Sequence, residues 1–317
     1  MPSEPAIAIL SRLASEHAAI FSGRNAVSLG VGRNRLRKLL EQGVIERLHP
    51  DIYRMTAVAP SARQRLHAAL LWAGESAAAA GRSAAELYRL EGVRATTPEI
   101  VLPPNIRGRV AGVRVYHADP RSLMVRTVDG IRVTGVEATI VRLGSILDEQ
   151  AFEIACEDAR RRRLTSLPAV DAYIDRFGRR GRPGTAATRR LLAQLDPVHP
   201  ARSTLEVMTR RLLVEHGIVD FVRELPLEWN GRTYRYDFAF PRQRVILETN
   251  GRRWHDDAAD FEHDQEKWSV PARHGYRLVL ATWRKVTRTP VQMLRELTTA
   301  RRLNGGSAAG SAVARRF

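Results

Sequence analysis

The sequence predicts an α+β chain of several domains, and three observations carry that prediction. Apolar spacing passes from helical to strand-like within residues 5–55. A mixed stretch of helices and short strands follows to about residue 199. Residues 203–302 then read in the order αβββαβα. The length, 317 residues, also exceeds what one core comfortably serves. The expected division is 1–58, 59–199 and 200–302, with a low-complexity, disordered tail at 303–317.

The opening segment AIAILSRLASEH sets Ile7, Leu10, Leu13 and Ala14 at helical spacing. Ser22 caps a short second helix that reaches about Leu29. Gly30-Val31-Gly32 makes a turn, and RNRLRKLLEQG reads as a third helix ended by Gly43. VIERLHPDIYRM gives two short strands around His49-Pro50-Asp51. Three helices followed by a small hairpin is the order of a winged helix-turn-helix. On its third helix Leu36, Leu39 and Leu40 suit packing, which leaves Arg33, Asn34, Arg35, Arg37 and Lys38 facing outward. That is the division of labour of a recognition helix, with Asn or Arg for base edges and the other cations for phosphates. Arg47 and Arg54 on the hairpin add phosphate contacts in this reading. A solvated basic face on a winged helix that binds protein is the alternative.

In the middle stretch a helix is expected near 61–80, with strands at Glu99–Leu102, Val113–His117 and Ile131–Val133. Helices around 137–147 and 149–163 come next, the second ending in Arg160 to Arg163 as a solvated cationic terminus. DRFGRRGRPGTAATRR reads as a Gly/Arg-rich linker near 178–190.

The last part starts with a helix over 203–216 and a hairpin pivoting on Asn230-Gly231, a type I′ signal. A strand at 244–249, a helix at 257–270, a strand at 276–282 and a helix from Pro290 to Arg302 complete it. Pro271 should end or kink the preceding helix near Val270. Strict alternation along 232–240 puts Tyr234, Tyr236, Phe238 and Phe240 on one packed face and Asp237 on the other. In the next strand Ile246 and Glu248 share a face. If PRQR joins these strands as antiparallel neighbours, Glu248 comes close to Asp237. Two adjacent carboxylates repel unless a cation sits between them. Oxygen ligands in small number suit Mg²⁺ or Mn²⁺, and such a site supports phosphodiester cleavage.

With this element order, DF…ILETNG…WH and the eleven-residue step from Asp237 to Glu248 resemble the PD-(D/E)XK nuclease superfamily, and within it the very-short-patch-repair (Vsr-like) endonucleases. The resemblance implies a restriction-endonuclease-like αβββαβ core and a metal-dependent DNA endonuclease acting in phage defence or repair. It further implies that Asp237 and Glu248 hold the metal, with the Thr249 carbonyl as a third ligand and Glu206 completing the water shell. The superfamily's lysine falls at Asn250, so His255 or Lys267 would have to replace it. Plainer roles exist for most: Glu206 in a Ser203 capping box, Asp237 paired with Arg235 or Arg244, Asn250-Gly251 as a turn, His255 on the surface, Lys267 paired with Asp264. Glu248, ending an apolar strand, is the exception.

The front section, SGRNAVSLGVGRNRLRKLLEQGVIERLHPDIYRM, resembles the winged helix of the AbiEi antitoxin family. That resemblance implies a DNA-binding autorepressor with a toxin partner. Two functions therefore compete: an endonuclease targeted by a winged helix, and an antitoxin-like regulator whose nuclease-like domain is inactive. The formal charge of +17 suits double-stranded DNA as partner in either case. A homodimer fits the nuclease, because one such site cuts one strand. One cysteine, Cys156, excludes an internal disulfide framework and a cysteine-rich zinc site, and the expected location is cytoplasmic with no membrane partner.

Overall fold

The computed structural model describes residues 5–15, 18–178, 181–250 and 258–311. They form an α+β chain with three sheets, divided into two compact units, Met1–Leu195 and Asp196–Phe317.

The first unit opens with α1 (Ala6–Ser15), β1 (Ile20–Ser22), α2 (Gly23–Ser28), α3 (Arg33–Glu41), β2 (Ile45–His49) and β3 (Ile52–Met55). Ser22 caps α2 as its sequence position suggested, accepting the Asn25 amide at 3.1 Å. Gly43 ends the third helix with φ +69°, a conformation that suits glycine. Strand β1 is an addition to the expected plan. It pairs with β3, giving a three-stranded sheet in the order β1-β3-β2. Leu10, Phe21, Leu36, Leu39 and Ile45 form the core beneath it. This is a winged-helix arrangement.

The same unit continues with α4 (Ala62–Ala73), β4 (Ala78–Ala79), α5 (Gly81–Leu87), β5 (Glu99–Leu102), β6 (Arg114–His117), β7 (Arg126–Val128) and β8 (Ile131–Val133). The five strands lie in the order β6-β5-β4-β8-β7. Ile20, Ile52 and Ala68 pack together, so the winged helix and α4 share apolar contact. Helices α6 (Val136–Leu143), α7 (Glu149–Arg161), α8 (Leu167–Phe177) and α9 (Thr185–Leu192) follow. Helix α9 corrects the expectation of a linker near 178–190. Gly184 supplies the left-handed turn before it, and Leu191 carries it into the core of the unit. Of the arginines closing α7, expected to be solvated, Arg162 and Arg163 are exposed but Arg160 is not. Arg160 is buried on Glu157, Arg161 bonds Asp158 and Glu91, and Arg162 bonds Asp158 and the Tyr88 carbonyl.

The second unit comprises α10 (Thr204–Glu215), β9 (Val222–Trp229), β10 (Arg232–Phe240), β11 (Val245–Asn250), α11 (Ala258–Arg273), β12 (Arg277–Thr282), α12 (Trp283–Arg288) and α13 (Pro290–Ser311). Its sheet runs β12-β11-β10-β9, with β11–β12 parallel and the other pairs antiparallel. The turn at Asn230-Gly231 has positive φ at both residues, as a type I′ hairpin requires. Leu205, Leu213, Met293 and Leu297 cover one sheet face, while Val270 of α11 packs on the other with Tyr236 and Ile246.

The helix expected near 61–80 ends at Ala73, before β4, and two boundaries of the second unit also differ from expectation. Helix α13 runs past Arg302 into the segment expected to be a disordered tail, and Asn304 Nδ2 ties it to the Arg244 carbonyl at 3.0 Å. Helix α11 passes through Pro271 and ends at Arg273. Proline lacks the amide that would bond the carbonyl four residues back, that of Lys267. The Tyr236 hydroxyl supplies the missing donor at 2.6 Å, so the backbone acceptor is satisfied and the helix continues. Among the described residues no helix is long and apolar enough to cross a membrane.

Candidate functional site

Phe238 pairs with Leu247 and Phe240 with Val245 across β10 and β11, which places Asp237 next to Glu248. The alternation along β10 is not the strict one expected. Tyr234 and Tyr236 pack with Ala239 and Ile246, whereas Phe238 and Phe240 pack with Leu247 and Val245. One residue of the strand is therefore out of phase between Tyr236 and Phe238, opposite Glu224, whose φ is +54°. This irregularity frees the Asp237 amide from the regular ladder, and it donates to Glu248 Oε2 at 3.1 Å. Thr249 answers by donating its amide, at 2.8 Å, and its hydroxyl to Asp237 Oδ2. Both carboxylates are buried, Asp237 to 6 % exposure and Glu248 to 5 %.

Such burial would be costly without partners. Glu248 finds one in Lys267, which projects from α11 and puts its ammonium on Oε1. Burial, with the Asp237 charge second, still raises the Glu248 carboxyl to about 7, and Lys267 pulls it back. Glu206 of α10 is buried to 1 % and is also raised, by burial first and then by Asp237. The Ser203 hydroxyl accepts the Glu206 amide as a cap should, but the return half of the capping box is absent. Glu206 Oε2 takes the Arg202 amide at 2.6 Å instead of that of Ser203, and Oε1 takes Arg223 Nη2 at 2.6 Å.

A fourth buried acid, Glu224, joins them and was not legible in the sequence. Ligand oxygens of Glu206, Glu224 and Asp237 lie within 4.8 Å of one another. Glu224 accepts Arg202 Nη2 at 2.6 Å. Thus Glu206, Glu224 and Glu248 each have a cation, while Asp237 has none among the described residues. Neither Arg235 nor Arg244 pairs with it; Arg244 bonds the His274 carbonyl. Three hard oxygen donors, one of them from an acid with no paired cation among the described residues, fit a divalent ion such as Mg²⁺. The only sequence signal for Glu224 was a carboxylate in a strand, opposite Asp237 once the Asn230-Gly231 hairpin register is laid out.

The structure brings together Glu206, Asp237, Glu248, Thr249 and Lys267. Asn250 ends β11 opposite Thr282 and makes no side-chain hydrogen bond to a described residue. His255 lies outside the described residues.

On α3 the side chains of Arg33, Asn34, Arg35, Arg37 and Lys38 are exposed, with Leu36 and Leu39 buried beneath. Arg37 pairs with Glu41, at 3.9 Å. Leu40 departs from the expected packing face and is exposed. Arg47 is exposed on the hairpin. Arg54 is not available to phosphate: it is buried, bonded to Glu46 Oε1 at 2.7 Å and to the Val58 carbonyl. By alternation it shares a face of β3 with Ile52, which packs on Ala68 of α4, so it is turned inward.

Comparison with known proteins bears on both units. Two uncharacterised Mycobacterium tuberculosis proteins, MT2308 of strain CDC 1551 / Oshkosh and Rv2248 of strain ATCC 25618 / H37Rv, are each 27% identical over 291 residues. The alignments cover 88% of this chain and 99% of each relative. The crystal structure of the RV2827C protein from M. tuberculosis is similar with a TM-score of 0.45 and 18% identity, over 65% of this chain and 80% of that one. The catalytic domain of the homing endonuclease I-Bth0305I gives 0.26 and 18%, over 32% of this chain and 97% of that domain. Residues 9–56 match the family model described as "Transcriptional regulator, AbiEi antitoxin", so the N-terminal winged helix is similar to the domain of that family.

Proposed function

We propose that this chain is a DNA-binding protein whose second unit hydrolyses phosphodiester bonds with a divalent metal ion, Mg²⁺ or Mn²⁺. The observation that carries the reading is the meeting of Lys267 with Glu248 beside Asp237. A lysine from α11 stands where the strand itself offers only Asn250, so the centre has its cation despite that substitution.

Asp237, with Glu206 and Glu224, would hold the ion, which supplies Lewis-acid polarisation of the scissile phosphate when bound. Glu248 has a proton affinity near neutrality, which suits it to take a proton from the attacking water. Lys267 offsets charge gathering on the phosphate oxygens and keeps Glu248 oriented. Thr249 fixes the Asp237 rotamer through two donated hydrogen bonds. The winged helix would bring duplex DNA to the chain through Arg33, Asn34, Arg35, Arg37, Lys38 and Arg47.

Incubation of the full chain with plasmid and linear duplex should give cleavage in Mg²⁺ or Mn²⁺ and none in EDTA. Asp237→Ala should slow it by roughly a hundredfold or more, the scale of losing one electrostatic group from a catalytic centre, with DNA binding kept. The match of residues 9–56 to an antitoxin-type regulator favours a second reading, an operator-binding regulator with a silent second unit and a toxin as partner. Tight operator binding with no cleavage in any divalent metal would select that reading. Sedimentation of the free and DNA-bound protein would test the homodimer.

A further inference from the structure

An open groove of about 460 Å³ lies beside the carboxylates, lined by Arg202, Arg232, Thr233, Tyr234, Arg235 and Lys267. Four of the six lining residues are cations and none is an acid. Arg202 and Arg232 leave 55% and 67% of their side chains exposed, and their acidic partners, Glu224 and Glu266, stand outside the lining. Arg235 is exposed and makes no ion pair with any described residue. Three of these cations are answered by a carboxylate behind the wall, but Arg235 is not, and a wall presenting four cations and no acid favours a bound polyanion.

The groove is continuous with the acidic centre at two points. Lys267 lines the groove and contacts Glu248. Arg202 lines it while its amide meets Glu206 and its guanidinium meets Glu224. A strand with one phosphate at the carboxylates must lay its neighbouring phosphates somewhere close. The groove offers them guanidinium donors and the Thr233 hydroxyl.

We infer that the Arg202–Arg232–Arg235 groove binds the sugar–phosphate backbone of a DNA strand, making it a second DNA-contact surface distinct from α3. Its placement rests on the proposed nuclease reading, but binding there needs neither metal nor turnover.

The test uses the full chain with Arg33, Arg35, Arg37 and Lys38 replaced by alanine, which silences the winged helix. Anisotropy of a labelled duplex is read in EDTA across a salt series. Salt-dependent binding should remain. Adding Arg232→Ala and Arg235→Ala should weaken it roughly tenfold and lower the slope of log affinity against log salt by about 2, near 0.9 for each phosphate no longer neutralised. Arg235→Lys should restore part of the affinity, and Arg242→Ala, an exposed arginine outside the groove, should change neither quantity. Unchanged affinity and slope in the groove variant, or an equal loss in Arg242→Ala, overturns the inference. Groove-dependent binding without cleavage in Mg²⁺ would sustain the groove and sink the nuclease. Cleavage that ignores the groove substitutions would do the reverse.

Discussion

Glu248 is the residue whose chemistry is most altered by its surroundings. Burial and Asp237 raise its carboxyl from 4.5 to about 7, so the folded chain binds this proton more tightly than the unfolded chain does. The stabilising contribution of the group is therefore complete below about 4.5 and lost as pH rises through about 7. Urea unfolding of Glu248→Gln should show a shallower fall in stability than the parent between about pH 5 and 7.5. Equal slopes in the two proteins would mean that Glu248 keeps an ordinary carboxyl. The carboxylate pair itself was legible in the sequence, because a glutamate ending an apolar run and an aspartate among aromatics demand a reason. Arg54 shows the limit at this scale. Its charge suggested phosphate, but it lies on the buried face of its strand with Ile52 and is committed to Glu46 and a backbone carbonyl.

At the scale of elements, α11 and β10 are coupled through one hydrogen bond. Pro271 removes the donor that would satisfy the Lys267 carbonyl, and Tyr236 Oη fills the gap at 2.6 Å. The bond also holds the turn of α11 from which Lys267 reaches Glu248. Tyr236→Phe should cost about 1–3 kcal/mol by leaving a buried carbonyl unpaired. Pro271→Ala restores an amide at that position, so Tyr236→Phe should cost clearly less in its presence. Additive losses in that double-mutant cycle would refute the coupling. The order of elements was readable from apolar spacing and turn residues, since these are local. The break in alternation near Asp237 was not. It depends on Glu224 across the hairpin adopting a positive φ, which no strand pattern announces.

For the whole molecule, the apolar clusters of 1–195 and those of 196–317 share no residue. Each unit thus has its own core, and each should melt on its own terms. Leu297, fully buried under the second sheet, is a probe of this. Leu297→Ala should remove about 2–5 kcal/mol from the second unit alone. Calorimetry should show one transition moving down while the other stays in place; a single transition moving as one would contradict separate cores. The formal charge of +17 belongs to this scale as well, since it favours polyanionic partners and predicts that any DNA binding weakens as salt rises.

By itself the sequence determined the α+β class, the winged-helix order, the αβββαβα string and the approach of Asp237 to Glu248. All of these follow from periodicity, capping and turn chemistry over short spans. Only the tertiary structure decided which cation serves the acids, that Glu224 joins Glu206 and Asp237, and that arginines line a groove beside them. Those partners come from separate strands and helices, and their distances are set by how the elements pack, a quantity that no local spacing encodes.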